Sequence, residues 1–501
     1  MARILGTMAQ RDFSPKQGPP AHKGSYVLPS HFLMESDELR LDAGRYSPEL
    51  IEALRALRES GMRLERLADI TAGVSIPPRF KRMYVEPEYG VPFLQGSHVV
   101  HFQPANLKYL SLSSDKLERW IVRSGWLLVT CSGTIGRISI CPPEWDGWAA
   151  SQHILRIVPD DSKCSGGYLA AFLASPFGQA QLTANTYGAV VDELTEEQVE
   201  SILVPLPETA HDRALVRSVD AAMSASVDER SEAVALVRRA VDAVTTSPIR
   251  ATHPTWFSLQ SAHMGKELRI DAGHYNPVLF EALEQLQKMD AVPLRDVARV
   301  FMPTRFKRIY VEAKHGLPFL QGSHVVQFRA TDVKYLSREY EHIEKTRIAT
   351  GWILVTRSGT VGRVTMCPRE WDGWSASEHI IRVVSDEEAC PAGYLCSFLA
   401  SPLGQIQLLA NIHGAVVDEL TEDHIERILV PLPKRRLRII DSTMRRGMYM
   451  KSQAVSSVEA GVAEVTERFG PATGPTYKTD YESSAPEKVA DAGPGYRHDS
   501  R

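Results

Sequence analysis

The chain has 501 residues, 24% charged and 43% hydrophobic, with 33 Gly, 31 Pro and a formal net charge of −4 from 57 Lys plus Arg against 61 Asp plus Glu. This is ordinary globular usage over a length that suits two to four domains, and it excludes collagen-like, wholly disordered and disulfide-scaffold chains. No global positive field marks a polyanion partner, so any nucleic-acid contact has to come from local patches.

Residues 1–24 mix Pro, Gly and charge with few apolar residues and are expected to be a disordered tail. They hold two early arginines but no apolar stretch before a small-residue cleavage site, so they do not read as a signal peptide. The apolar runs, such as 126–129 and the seven residues of 168–174, are far short of the roughly 18 to 20 that span a bilayer. A cytoplasmic location is therefore expected. A first β-rich unit is predicted over 25–207. It opens with a helix whose N-cap is Ser47 and whose first position is Pro48, with Leu50, Leu54 and Leu57 as the apolar stripe. Short strands follow in PFLQGSHVV (93–100 with its preceding Pro), in the hairpin WLLVTCSGTIGRISIC (126–141) and in HILRIV (153–158). A helical stretch runs from Tyr168 to about Thr186 with an interruption at Ser175-Pro176. A short helix opens at Thr195 with Gln198 placed for a capping box, and the unit closes on the strand ILVPLP (202–207).

Residues 208–246 contain no Gly, and Leu215, Val219, Ala222, Val234, Val237, Val241 and Val244 recur at helical spacing. A long helix with a narrow seam is predicted, with a weak stretch at Ser226–Ser231. Then the unit returns over 247–433. From Pro78 to Pro207 the second copy follows at a constant offset of 226 residues: FLQGSHVV is identical at 93–100 and 319–326, EWDGWAASQH returns as EWDGWSASEH, and GAVVDELTE and ILVPLP return unchanged. A period this long is a domain duplication and not a solenoid, whose repeats run roughly 20 to 50 residues. Asn276 and Pro277 take the places of Ser47 and Pro48. A second long helix is predicted over 434–469, and 470–501 is expected to be a disordered tail. The two long helices, each about 50 Å, suit one another as partners; the alternative is that each covers its own β-rich unit. The fold class is α+β.

Catalytic strings are missing. No G-x-x-x-x-G-K-[ST], G-x-S-x-G or H-E-x-x-H occurs. SGTIG and SGTVG do not have dinucleotide-loop spacing and sit in hairpins, so they read as turns. IPPRF and CPPEW carry adjacent prolines without the flanking residues of an amino-methyltransferase tetrad. The neighbours Asp192-Glu193 and Asp418-Glu419 do not face each other on a regular element. His98, His153, His324 and His379 lack metal-spaced partners and read as polar structural or DNA-facing residues. The cysteines Cys131, Cys141, Cys164, Cys367, Cys390 and Cys396 form no C-x-x-C pair and are expected to be reduced, mostly buried thiols. No catalytic, cofactor or metal site is expected. Positive charge concentrates in RFKRMYVE (79–86) and RFKRIYVE (305–312). Arg79, Lys81 and Arg82, and likewise Arg305, Lys307 and Arg308, suit phosphate oxygens, with Tyr84 and Tyr310 available to pack on sugar or base. A solvated edge-strand face is the alternative.

The order of parts resembles the specificity subunit of type I restriction-modification enzymes over about residues 26–469. The resemblance rests on the RLDAGRYSP-like opening, on GWLLVTCSGTIGR and GWILVTRSGTVGR, on YLAAFLASPFGQAQL and YLCSFLASPLGQIQL, and on the closing ILVPLP, all in the same order twice. It implies two homologous β-rich target-recognition domains, each reading half of a split DNA site, separated by long helices that form an antiparallel coiled coil. It implies no catalysis by the chain itself. Its partners would be double-stranded DNA and two adenine methyltransferase subunits, which hold the S-adenosylmethionine and flip the base, with room for restriction or translocase subunits. His98, His324, Thr134 and Thr360 join the basic loops as DNA-facing candidates. Arg357 is a candidate to read guanine, opposite Cys131 in the first copy. The chain departs from the family pattern in that its recognition units are alike while its helices differ, which implies a nearly palindromic split site. Cys131/Arg357, Gln152/Glu378 and Tyr187/His413 are the differences that could separate the halves. The other reading is a DNA-binding scaffold of an anti-phage system without a methyltransferase.

Overall fold

The computed structural model describes residues 47–184, 193–245, 258, 275–410 and 419–470. The expected N-terminal tail, the expected C-terminal tail beyond Gly470, the repeated openings up to 46 and 274, and Tyr187 and His413 lie outside these residues. The first helix, Pro48–Glu59, starts as expected: Ser47 Oγ accepts from the Leu50 N–H at 3.2 Å. Its counterpart, Pro277–Lys288, is capped by Asn276, whose side chain accepts from Val278 at 3.0 Å.

The strands of the first unit are β1 (Arg63–Arg66), β2 (Thr71–Ser75), β3 (Tyr84–Val85), β4 (Gly90–Leu94), β5 (Lys108–Ser111), β6 (Leu127–Thr130), β7 (Ile138–Ile140), β8 (Ala149–Ala150), β9 (Ile154–Pro159) and β10 (Leu203–Leu206). They form two four-stranded sheets, β2-β9-β6-β7 and β3-β5-β4-β8, and a ribbon of β1 with β10; the second unit repeats all three. Strand β6 is buried along its whole length, with apolar Leu127, Leu128 and Val129, because it is central, flanked by β9 and β7. The hairpin between β6 and β7 turns on Gly133 and Gly136, both with φ near +80°, which a side chain would strain. The helices Gly166–Ala174 and Pro176–Ala184 break where the sequence places Ser175-Pro176 and pack under the first sheet. Gln181 then pins β10 in place: its amide nitrogen donates to Leu203 O at 3.0 Å and its oxygen accepts from Leu203 N–H at 2.9 Å. Gln407 does the same to Leu429. The capping box at Thr195 and Gln198 forms as predicted.

One predicted strand is cut short. After Leu94 the chain leaves β4 and makes a 3-10 turn, Gly96–Val100, closed by the Gln95 N–H on His98 Nδ1 at 3.3 Å; Gln321 and His324 repeat the turn at 3.1 Å. The pull of this local side-chain cap outweighs the apolar period.

The long helices are Ala210–Asp242 and Leu437–Phe469. They run antiparallel: Asp212 meets Arg468, Ser218 meets Glu464, Glu229 meets Ser457 and Glu232 meets Arg446. Gly447 allows a close approach, since a Cβ there would lie 2.9 Å from Val237. Pairing and covering both occur, because each unit's core takes in parts of both helices. Val219, Met223, Val465 and Phe469 complete the first core, and Ala240, Val244, Ile440 and Met444 complete the second. The weak stretch of the first helix is continuous helix. Its Ser226 and Arg230 are buried at 4% exposure each, facing protein and not solvent, which is why the apolar seam lapses there. No helix among the described residues is long and apolar enough to cross a membrane.

Candidate nucleic-acid interface

The repeated basic segment is a loop and not an edge strand; only its last residues, from Tyr84 or Tyr310, pair into a sheet. The aromatic within it points inward. Phe80 stacks on Trp120 at 3.9 Å between centroids, and Phe306 stacks on Tyr340 at 5.4 Å. That anchor leaves Arg79, Lys81, Arg305 and Lys307 exposed on the outer side. Tyr84 and Tyr310 are about 40% and 39% exposed. Each carries a lysine over its ring, Lys108 at 4.8 Å and Lys334 at 5.0 Å. These lysines lie in the KYLS strands at 108–111 and 334–337. They belong to the same surface and were not among the expected site residues, although the exact repeat of KYLS could have drawn attention to them.

Arg82 and Arg308 turn the other way, across their own grooves. Arg82 Nη2 donates to Gln152 Oε1 at 2.6 Å with its guanidinium 5.2 Å from the Phe93 ring. Arg308 Nη2 donates to Glu378 Oε1 at 2.8 Å and to Ser377 Oγ at 3.4 Å, 5.4 Å from the Phe319 ring. Glu378 is 5% exposed. Burial works against its charge but is outweighed by Arg308, so its carboxyl is held below the usual range. Next to these pairs stand His153, whose Nδ1 shares a hydrogen bond with Ser132 Oγ and whose Nε2 lies 3.0 Å from the Gln152 amide, and His379, bonded to Ser358 Oγ at 2.7 Å. Burial, then Arg82, lowers the His153 pKa. In the first unit Arg79, Cys131, Ser132, Gln152, His153 and Glu193 line one recess of about 260 Å³. Thr134 and Thr360 are exposed at the hairpin tips above these grooves. Their carbonyls accept from Thr130 Oγ1 and Thr356 Oγ1, which fixes the turns.

Two sets of candidates are already engaged. His98 and His324 are buried at 8% and 2% exposure inside the 3-10 turns. Burial lowers the pKa of both, that of His324 to about 4. They close local backbone and do not present a free ring at the surface. Arg357 lies in the second groove where Cys131 lies in the first, but its fork is occupied: Nη2 meets Glu419 at 2.5 Å and Nε donates to Leu420 O at 3.0 Å. Guanine recognition would require that pair to open. In the first unit the buried Cys131 leaves Glu193 without such a partner arginine, and burial pushes the Cys131 thiol up to about 12. All six cysteines are buried and unpaired. Among the described residues no group of three His, Cys, Asp or Glu is arranged to hold a metal ion.

Residues 68–224 match the family profile of the type I restriction modification DNA specificity domain. No curated protein matches. Among solved structures, the S subunit of a type I restriction-modification system from M. genitalium is similar at 10% identity, over 82% of this chain and 97% of that one, with a TM-score of 0.37. The HsdS subunit from Thermoanaerobacter tengcongensis is similar at 16% identity over 82% and 96%, with a TM-score of 0.27. A chain described for complex assembly and conformational transition of the type I R-M system is similar at 17% identity over 82% and 98%, with a TM-score of 0.26.

Proposed function

We propose that this chain, in which residues 68–224 match the type I restriction modification DNA specificity domain, is the DNA-recognition subunit of a type I-like restriction-modification complex in the cytoplasm. It reads a bipartite site and directs partner subunits. The observation that carries this reading is the repetition of one surface: exposed cations beside a half-exposed tyrosine, in two units set on an antiparallel helix pair. Arg79, Lys81, Arg305, Lys307, Lys108 and Lys334 neutralise phosphates, and this sequence-independent grip supplies affinity. Tyr84, Tyr310 and the hairpin tips at Thr134 and Thr360 approach base edges, where sequence is read, with the groove floors at Gln152 and Glu378 behind them.

Because the two units are alike and oppositely directed, the halves of the site are nearly inverted copies. The chain itself performs no chemistry. Two adenine methyltransferase subunits dock on the helix pair, bring S-adenosylmethionine and flip the target base; a restriction or translocase subunit joins the same complex.

Modification-sensitive long-read sequencing of the host genome with and without the gene tests this. Loss of one bipartite, nearly palindromic methylated motif on deletion is the expected result. A motif with unrelated halves would overturn the palindromic part. Unchanged methylation would overturn the methyltransferase partnership and favour the scaffold reading, in which the same surfaces serve a different effector.

A further inference from the structure

Two units carried only on a rod could rock independently. A second connection joins them directly. The backbone at 100–102 of the first unit runs antiparallel to 326–328 of the second: the Phe102 N–H donates to Val326 O at 2.9 Å, the Phe328 N–H donates to Val100 O at 2.8 Å, and His101 faces Gln327 between them. Each partner offers the same segment, as in a twofold interface between copies of one protein.

Each long helix drives one buried cation into this junction. Arg230, 4% exposed, donates to His101 O at 2.9 Å and Ser139 Oγ at 3.2 Å. Its guanidinium is 4.6 Å from the Trp145 ring of the first unit and 5.1 Å from the Phe328 ring of the second. Lys451, 1% exposed, lies 5.0 Å from the Trp371 ring of the second unit and 5.1 Å from the Phe102 ring of the first. Each cation is thus shared by a tryptophan of one unit and a phenylalanine of the other, in a desolvated setting where cation–π attraction is strongest. The ion pair Arg137–Asp332, at 2.5 Å, adds a further tie between the units. Its counterpart positions hold Arg363 and Asn106, so it occurs on one side only.

We propose that this junction locks the two recognition units together and that it, with the helices, fixes the number of base pairs between the half-sites. The proposal rests on the reading of the chain as a two-headed DNA reader. A rod of fixed length still twists and bends, and each base pair of spacing rotates the second half-site by about 34 to 36°, given roughly 10 to 10.5 base pairs per turn. Holding one spacing against its neighbours therefore requires control of relative rotation, which the paired backbones and shared cations provide.

The test replaces the chromosomal gene with Phe102→Ala/Phe328→Ala, which removes one ring from each cation. It reads two quantities from the full chain. The first is the spacing of methylated motifs in the genome. Wild type should methylate a single spacing, and the variant should also methylate motifs one base pair longer or shorter, at a tenth or more of their occurrences. A single retained spacing would overturn the proposal. The second quantity is the distance between spin labels at Asp115→Cys and Glu341→Cys, matching exposed sites in the two units, measured on the purified chain. It should be narrow in wild type and broadened in the variant; equal widths would overturn the lock whatever the DNA result. If wild type shows no bipartite motif, the recognition reading fails, and the label distances still decide the lock. A cross-linked variant, His101→Cys/Gln327→Cys, guards against misfolding. These positions form a non-hydrogen-bonded antiparallel pair within disulfide reach, so the bond should form on mild oxidation and leave the wild-type spacing unchanged. Failure to cross-link would place the segments apart and overturn the proposal.

Discussion

In the first groove Arg82 meets the neutral amide of Gln152, and in the second Arg308 meets the carboxylate of Glu378. Likewise Cys131 beside Glu193 becomes Arg357 paired with Glu419. The second groove has gained one charge of each sign and spends both in internal pairs, while the outer cations of the basic loops are the same in both units. The outer cations and the floor of the groove have therefore diverged to different degrees. If sequence preference differs between the halves, the floor is where the difference resides.

The comparison breaks first at the loops. Arg79→Ala/Lys81→Ala and Arg305→Ala/Lys307→Ala should each weaken binding to all duplexes by about a hundredfold at physiological salt and lower the salt slope by about 1.8, two phosphate contacts at about 0.9 each. Salt titration of duplex binding checks this; strongly unequal effects would show that the units do not grip alike. Adding Arg82→Ala should leave the slope nearly unchanged, because that guanidinium is turned into the groove. At the floors, Glu378→Ala leaves Arg308 without its charged partner and should cost roughly 2 kcal/mol of unfolding free energy, whereas Gln152→Ala removes an amide acceptor and should cost about 1 kcal/mol. Denaturant unfolding measures both, and equal costs would erase the distinction between the grooves. Glu378→Gln should move the sequence read by the second unit toward that read by the first, visible as a more symmetric methylated motif.

The smallest effect is on pH dependence. Because the folded carboxyl of Glu378 is held below its ordinary value of 4.5, the unfolded chain binds its proton first as pH falls. The pair's contribution is complete above about pH 4.5 and is lost as pH drops through the lower folded value. Acid titration of stability should show this limb in wild type and a shallower one in Glu378→Gln; the same limb in both would assign it to other carboxylates.

What was legible in the sequence was local or repeated. Ser47-Pro48, Asn276-Pro277, Thr195 with Gln198, and the paired glycines of the hairpins announce their conformations through nearby chemistry. The duplication announces two like units through identity at fixed offset, and the seams announce two long helices, whose antiparallel pairing came only with the family resemblance. Long-range partners were not legible. Nothing near Arg357 points to Glu419, 62 residues away. Nothing in FLQGSHVV tells that His98 caps its own turn instead of facing outward, because a polar residue in an apolar run reads as exposed. The lapse at Ser226 and Arg230 looked like poor helix because the surface that buries them belongs to residues near 101, 139 and 328.

The interleaving of the long helices into both cores bears on how the chain is made. Met223 belongs to the first core together with Val465 and Phe469, and more than two hundred residues separate them in the chain. At roughly 5 to 20 residues per second the ribosome needs about ten seconds or longer to supply the missing part. During that time the first unit has its sheets and inner helices but an open apolar flank, and it is exposed to chaperones and to like chains emerging nearby. The Leu437–Phe469 helix is synthesised after the sheets of both units, and its arrival completes both cores in one closing step.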